Sequence, residues 1–373
     1  MSLVRGARRT RPSRVVRRSV IVLVITVACA TGPVASAAPG HGTGGFGRTC
    51  VEKEVPVSLT GNGPKTYHIF GRLCYPSNRV PRAVQLLVSG FTYNHLYWDV
   101  PGFGDRYSYV AHATAAGYAT FAVDPIGTGA SSHPPGSQVT IDASAATLHQ
   151  VIEALRAGRV SKRQFSQVIY VGHSLGSKTG WVEVSRYRDV DAFAQTASLH
   201  AFNSDTLTEF GGEVHSASDD PRFAALGLDP GYVTTKPGIR KIFYHLPTTD
   251  PEVLRFDEQH KDVGSQAESA GTRQLVAAPP EETVTRNIDV PVLSVVGQYD
   301  ALDCGDPGGA ACSDPQQVRN FEGRYYSAAA RLTVAIVPDA GHDLNLHRNA
   351  PDTDQIVNRW IQSVLRPSKG KVS

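Results

Sequence analysis

The 373-residue chain has one methionine, Met1, and only five cysteines. It lacks any apolar run of about 18 residues, the length a membrane-spanning helix needs. The clearest apolar stretch, Val20 to Ala30, is too short. No C-x-x-C or H-x-x-x-H pair occurs, so no metal is expected. No G-x-G-x-x-G follows a strand and no phosphate loop with its lysine is present, so no nucleotide or other cofactor is expected. Positive charge is scarce outside one place. Lys and Arg total 37 against 34 Asp and Glu, but seven arginines fall in residues 1–37, which contain no acid or lysine. Without them the chain has 30 basic and 34 acidic residues, a net of −4. No basic stripe remains to neutralise phosphates, which argues against a nucleic-acid partner. Charged residues make up 19% and hydrophobic residues 41%, a globular rather than a disordered balance.

Residues 1–37 read as a secretory signal. Arginines run up to Arg17 and Arg18, the apolar stretch follows, and Ala35-Ser36-Ala37 offers a small-x-small cleavage site. The mature chain is expected to begin near Ala38 and to be extracellular. An uncleaved anchor is the bland alternative, and lipid attachment at Cys29 is a weaker one, because Thr26 stands where an aliphatic residue belongs. Removing the leader leaves Cys50, Cys74, Cys304 and Cys312. An even count in an exported chain suggests disulfides. Of three possible pairings, Cys50–Cys74 would staple two neighbouring strands and Cys304–Cys312 would close a short Gly/Asp-rich loop. Buried free thiols are the structural alternative.

Strand-like segments (51–59, 66–75, 83–89, 118–124, 167–171, 192–197, 290–296 and 332–337) alternate with helical ones (105–116, 141–157, 175–188 and 354–365). Most of the strands are apolar on both faces. The pattern predicts an α/β fold: a mostly parallel sheet covered by helices on both sides. Residues from about 200 to 288 break the alternation, with helical pieces near 219–226 and 251–258. The sheet pattern resumes at Val290, so the stretch is expected to be a cap inserted into a single domain, 38–373.

The strongest local signal is Val168-Ile169-Tyr170-Val171-Gly172-His173-Ser174-Leu175-Gly176. An apolar strand runs into G-x-S-x-G and straight into a helix. Small residues two before and two after let a strained turn close and project the Ser174 hydroxyl beside a helix N-terminus. The bland alternative is a structural Gly/Ser turn. A serine nucleophile needs a base, and the base an orienting acid. Asp300 stands just beyond the strand ending Val295-Val296-Gly297, and His342 just beyond the next one. Asp303, Asp306 and, more remotely, Asp205 are rivals for the acid. Asp339 reads as a turn residue and His173 as a packing residue.

The three motifs in the order Ser, Asp, His resemble the α/β-hydrolase fold superfamily, over about residues 51–366. The resemblance implies Ser174 as nucleophile, His342 as general base and Asp300 as the acid. It implies an oxyanion hole from the backbone N–H groups of Leu175 and Phe91. Where the family usually shows His-Gly before the donor, this chain has Ser89-Gly90-Phe91, and the Ser89 hydroxyl is a candidate for the missing support. Asp124 to Ser131 resembles the family's structural D-x-x-G-x-G-x-S turn. Tyr97 and Trp98 are candidate pocket residues, with loop packing as the alternative. The implied activity is a secreted serine hydrolase acting on a small-molecule carboxylic ester or lactone. A peptidase, or an acyltransferase or cyclase with the same triad, is the runner-up. A Ser at 174 disfavours the dehalogenase and epoxide-hydrolase branches, which resemble this fold but need Asp there.

Overall fold

Eight strands form the central sheet of the computed structural model, which describes residues 47–365 apart from 78 and 82. The leader expected over 1–37, its cleavage site and Cys29 lie outside the described residues. In chain order the strands of this sheet are β1 (Arg48–Val57), β2 (Tyr67–Pro76), β3 (Val84–Val88), β4 (Ala119–Val123), β5 (Val168–His173), β6 (Ala192–Thr196), β10 (Val292–Gly297) and β11 (Thr333–Val337). A smaller sheet holds β7 (Val214–Ser216), β8 (Tyr232–Thr235) and β9 (Gly264–Ser265). The spatial order of the large sheet is β1-β2-β4-β3-β5-β6-β10-β11. β2 pairs antiparallel with both β1 and β4, and every pairing from β4 to β11 is parallel.

The parallel strands carry apolar residues continuously because helices cover both faces. In β5, Val168 and Tyr170 join one core cluster, while Ile169 and Val171 join the other. The first face receives α2 (Ile141–Arg156) through Leu148, Val151 and Leu155, and α3 (Leu175–Tyr187) through Trp181 and Val184. The second receives α1 (Tyr109–Ala116) and α8 (Ala350–Val364), with Val110, Val357 and Ile361 inside. Gln85, buried in the middle of β3, accepts from Tyr109 Oη at 2.6 Å and donates to Asn358 Oδ1 at 2.9 Å. Its polar groups are therefore satisfied on the helix-covered face.

Both disulfides are present as Cys50–Cys74 and Cys304–Cys312. Cys50 and Cys74 are register partners across β1 and β2. Cys304–Cys312 closes a loop that begins four residues after Asp300.

Between β6 and β10 the chain builds more than the two helical pieces read from sequence. α5 (Pro251–His260) matches one of them. The other, near 219–226, is two separate 3-10 turns, Ala217–Asp219 and Ala224–Leu226, because Pro221 lacks the N–H to continue a helix. The segment also contains α4 (Ser204–Gly212), α6 (Gln266–Ala277) and the small antiparallel sheet. A further helix, α7 (Pro315–Glu322), precedes β11.

Candidate active site

β5 ends at His173, and Ser174 turns the chain into α3 with φ 52° and ψ −117°. A non-glycine residue at positive φ is strained and persists only where its surroundings leave no alternative. Here a Cβ on Gly172 would stand 2.6 Å from the Ser177 backbone, and one on Gly176 would stand 2.3 Å from the Val88 carbonyl oxygen. Both small residues of the motif are therefore steric requirements of the turn. The Ser174 N–H donates to the Thr196 carbonyl at 2.9 Å, which ties the turn to β6.

The loops after β10 and β11 bring the other two groups to this turn. His342 Nε2 lies 2.8 Å from Ser174 Oγ. His342 Nδ1 lies 2.9 Å from each oxygen of Asp300. The Asp300 carboxylate also accepts from the backbone N–H of Leu302 at 3.0 Å and of Asp303 at 3.2 Å, so its orientation is fixed. A carboxylate at Nδ1 places the ring proton there and leaves the Nε2 lone pair facing the serine hydroxyl. Burial lowers the proton affinity of His342, but the charge and hydrogen bond of Asp300 outweigh it. The net effect is a pKa above the ordinary imidazole value.

The rivals for the acid are placed elsewhere. Asp303 is buried close by, yet its Oδ2 accepts from the Leu199 N–H at 3.0 Å and its Oδ1 faces Lys178 Nζ at 3.9 Å. Burial above all, with the Asp300 charge adding, pushes Asp303 up to about 7, although Lys178 opposes the shift. Asp306 is an exposed residue of the disulfide-closed loop, and Asp205 is exposed in the first turn of α4. Asp339 turns the chain after β11 with φ 54°.

Phe91 and Leu175 both line the cavity above Ser174. Among the described residues, no carbonyl or side chain accepts from either backbone N–H. A support role for the Ser89 hydroxyl is not what the structure shows, since Ser89 Oγ is buried without a partner. The cavity has a volume of about 70 Å³ and its walls are mainly apolar. Phe202, Leu207, Phe210 and Phe243 come from the segment between β6 and β10, together with Thr272 and Arg273.

Tyr97 and Trp98 are not among the residues lining this cavity. Both are buried behind it: Tyr97 stacks on His173 at 4.0 Å between ring centroids, and Trp98 packs edge-on against Tyr97 and Tyr109. A turn over Asn94 to Asp99 points these rings into the core, with Asn94 Oδ1 capping Leu96 N–H. His173 is a fully buried packing residue, and burial holds its pKa well below the ordinary value. Asp124 organises its glycine-rich turn, accepting from His95 N–H and Ala130 N–H at 2.8 Å each.

Sequence reasoning missed Lys178, Phe210 and Phe243 as cavity residues. Lys178 was accessible to it, because a residue four after Ser174 shares that face of α3. The two phenylalanines were not, because their elements lie in the irregular segment.

The chain belongs to the alpha/beta hydrolase family, whose model matches residues 85–353. No curated protein sequence matches it. Its fold is similar to that of a thermophilic esterase from Thermogutta terrifontis, at 17% identity and TM-score 0.54, over 84% of this chain and 99% of that one. It is also similar to a monoacylglycerol lipase from Paleococcus ferrophilus, at 16% identity and TM-score 0.51, over 76% of this chain and 96% of that one. A bromoperoxidase from Bacillus anthracis, at 17% identity and TM-score 0.53, matches over 84% of this chain and 100% of that one. One fold thus carries several named chemistries, and the reaction has to be argued from the site.

Proposed function

We propose that the protein is a secreted serine hydrolase that cleaves a carboxylic ester or lactone through an acyl-enzyme on Ser174. One observation carries the reading: His342 bridges Ser174 Oγ at 2.8 Å and Asp300 at 2.9 Å on the floor of an apolar cavity. In this mechanism Oγ attacks the carbonyl carbon as Nε2 takes its proton. The oxyanion that forms is held by the N–H groups of Phe91 and Leu175. The imidazolium, stabilised by Asp300, gives its proton to the leaving alkoxide. Water then repeats the sequence with His342 as base and releases the acid. The walls from Phe202, Phe210 and Phe243 suit an apolar acyl or alkyl group, with residues 200–288 acting as the cap that shapes the pocket.

Export, with cleavage after Ala37, is the reading that accounts for two disulfides in a chain with a leader-like start. Among the described residues no helix is long and apolar enough to cross a membrane. The test is a panel of p-nitrophenyl esters of rising chain length, lactones and aminoacyl anilides, with fluorophosphonate labelling mapped by peptide mass. Ester or lactone turnover with labelling at Ser174 is expected. Anilide turnover without ester turnover, or labelling at another serine, overturns the reading.

A further inference from the structure

At the far end of α3 from Ser174, a second cluster of chemistry-bearing side chains has no part in ester cleavage. His149 on α2, Glu183 on α3 and Asp189 just after α3 each present a donor atom, all within 4.8 Å of one another. Glu183 is fully buried, and neither of its carboxylate oxygens has a hydrogen-bond donor. Asp189 Oδ1 is buried and equally without a donor, while Asp189 Oδ2 accepts from His149 Nδ1 at 2.6 Å. Two carboxylates facing each other in a largely buried site cannot both stay ionised without a compensating positive charge, from a protonated His149 or from a bound cation.

The neighbouring cation does not supply that charge. Arg156 directs its guanidinium to the Asp189 and Ser166 carbonyls and to the Asp191 carboxylate, not to Glu183. We propose that His149, Glu183 and Asp189 form a structural binding site for a divalent cation that clamps α2 to the C-terminal end of α3. Donors that all lie within 4.8 Å of one another can share a point no more than about 2.8 Å from each. A cation bonded at about 2.0–2.2 Å needs shifts of under an ångström, inward for the distant donors and apart for His149 Nδ1 and Asp189 Oδ2, which stand 2.6 Å from each other. One imidazole nitrogen with two carboxylates suits zinc better than calcium or magnesium, which favour all-oxygen shells.

Binding would use the Nδ1 lone pair and move the imidazole proton to Nε2. That nitrogen already faces Glu153 Oε1 at 3.9 Å, the outer carboxylate that metal-bound histidines commonly hold. His149 is partly exposed and stacks on Tyr187 at 3.9 Å, so the site has an entrance and a fixed ring. The absence of metal spacing in the sequence is no obstacle, because the ligands come from three separate places along the chain. Ser174 stands nine residues before Glu183, about 13 Å along the helix, so the cation takes no part in the reaction.

The experiment uses the full chain, recovered from the culture medium without chelator. Metal content is measured by mass spectrometry. The melting temperature is recorded as purified, after EDTA, and after adding Zn²⁺, Mn²⁺ or Ca²⁺ alone. Close to one equivalent of zinc is expected, with EDTA lowering the Tm by roughly 5 °C and zinc restoring it. His149→Gln, at the partly exposed corner, is expected to abolish both the metal content and the zinc response, and Glu183→Gln is expected to do the same. A shared proton in place of a metal is the competing outcome. It would show as a chain free of metal whose Tm ignores all three cations and falls as pH rises, with Glu183→Gln removing that fall. That result overturns the proposal, as does a zinc response that survives in both variants.

Discussion

Replacing Asp300 by asparagine tests the site most sharply, because the geometry fixes what must go wrong. Asp300 receives the Leu302 and Asp303 N–H groups on Oδ1, so an asparagine carbonyl would take that position and keep the backbone bonds. Its amide nitrogen would then face His342 Nδ1, where a carboxylate oxygen stood at 2.9 Å. A donor at that point opposes an Nδ1–H, and the carbonyl that remains at 2.9 Å on the other side is already engaged by two backbone N–H groups, so the balance moves toward the ring proton on Nε2. Nε2 would meet the Ser174 hydroxyl carrying a proton and could not take another. The charge that stabilises the imidazolium disappears in the same step. A wrong tautomer of this kind costs about 10⁴-fold in kcat, or about 5.4 kcal/mol. Stability should change far less, since the buried charge is removed while the backbone hydrogen bonds are kept. The assay is kcat/KM on the best ester of the panel, paired with the melting temperature. Asp303→Asn is the control, expected to stay within about 10-fold because its carboxylate serves Leu199 N–H and Lys178 instead. A loss under 10-fold for Asp300→Asn with the fold intact, or a larger loss for Asp303→Asn, refutes the assignment of the acid.

Other perturbations have equally definite outcomes. Because the Asp300 charge outweighs burial and raises the His342 pKa, and the neutral ring is the base, kcat/KM should rise with pH to a midpoint above 6.5. A midpoint below that value, in a pH series on the free enzyme, contradicts the described balance. Burial pushes Glu268 up to about 7 from 4.5, so the fold favours its protonated form, and that stability is lost as pH rises through about 7. Glu268→Gln should therefore flatten the decline in Tm between pH 5 and 9 and add at most about 3 kcal/mol at pH 8. A decline parallel to the unsubstituted chain denies it. Removing Cys304–Cys312 should lower kcat/KM more than Tm, since the bridge restrains the loop after Asp300. Removing Cys50–Cys74, with a sequence separation of 24, should cost roughly 3 kcal/mol of stability and little activity. Denaturant titration beside steady-state rates separates the two.

The large sheet was legible because its parallel strands, apart from the half-buried edge strand β11, are buried on both faces and so read as mainly apolar runs. The elbow was legible because its glycines are dictated by contacts of 2.3 and 2.6 Å that no other residue survives. The segment between β6 and β10 was not. In α4 no residue is buried, and its sequence ends Phe210-Gly211-Gly212, which carries no helical signal. In α6 the buried residues are Glu268 and Thr272. These helices bury polar side chains or none, so apolar periodicity is absent by construction. Tyr97 and Trp98 escaped for a related reason. Which way an aromatic loop residue points depends on a turn set by Asn94 and on the ring of His173 behind it, and neither shows in local composition.

The same segment is tied to the chemistry by more than the cavity wall it supplies. Arg240 pairs with Asp257 Oδ1 at 2.7 Å, Tyr244 donates to Asp257 Oδ2 at 2.8 Å, and Tyr93 Oη reaches both Asp257 at 3.0 Å and Asp343 at 2.5 Å. A single hydroxyl proton cannot serve both carboxylates. Burial, reinforced by the Asp257 charge, pushes Asp343 up to about 8, which favours its protonated form. Tyr93 Oη stands within hydrogen-bond distance of both, so it ties the two carboxyl groups together. Asp343 directly follows His342, and Tyr93 stands two residues after Phe91. The buried charge pair Arg240–Asp257 in the segment therefore orients both the histidine loop and the loop offering the Phe91 N–H. A shift of this segment would therefore move the loop of His342 as well, so under the proposed function the fit of the substrate and the placing of the base are linked.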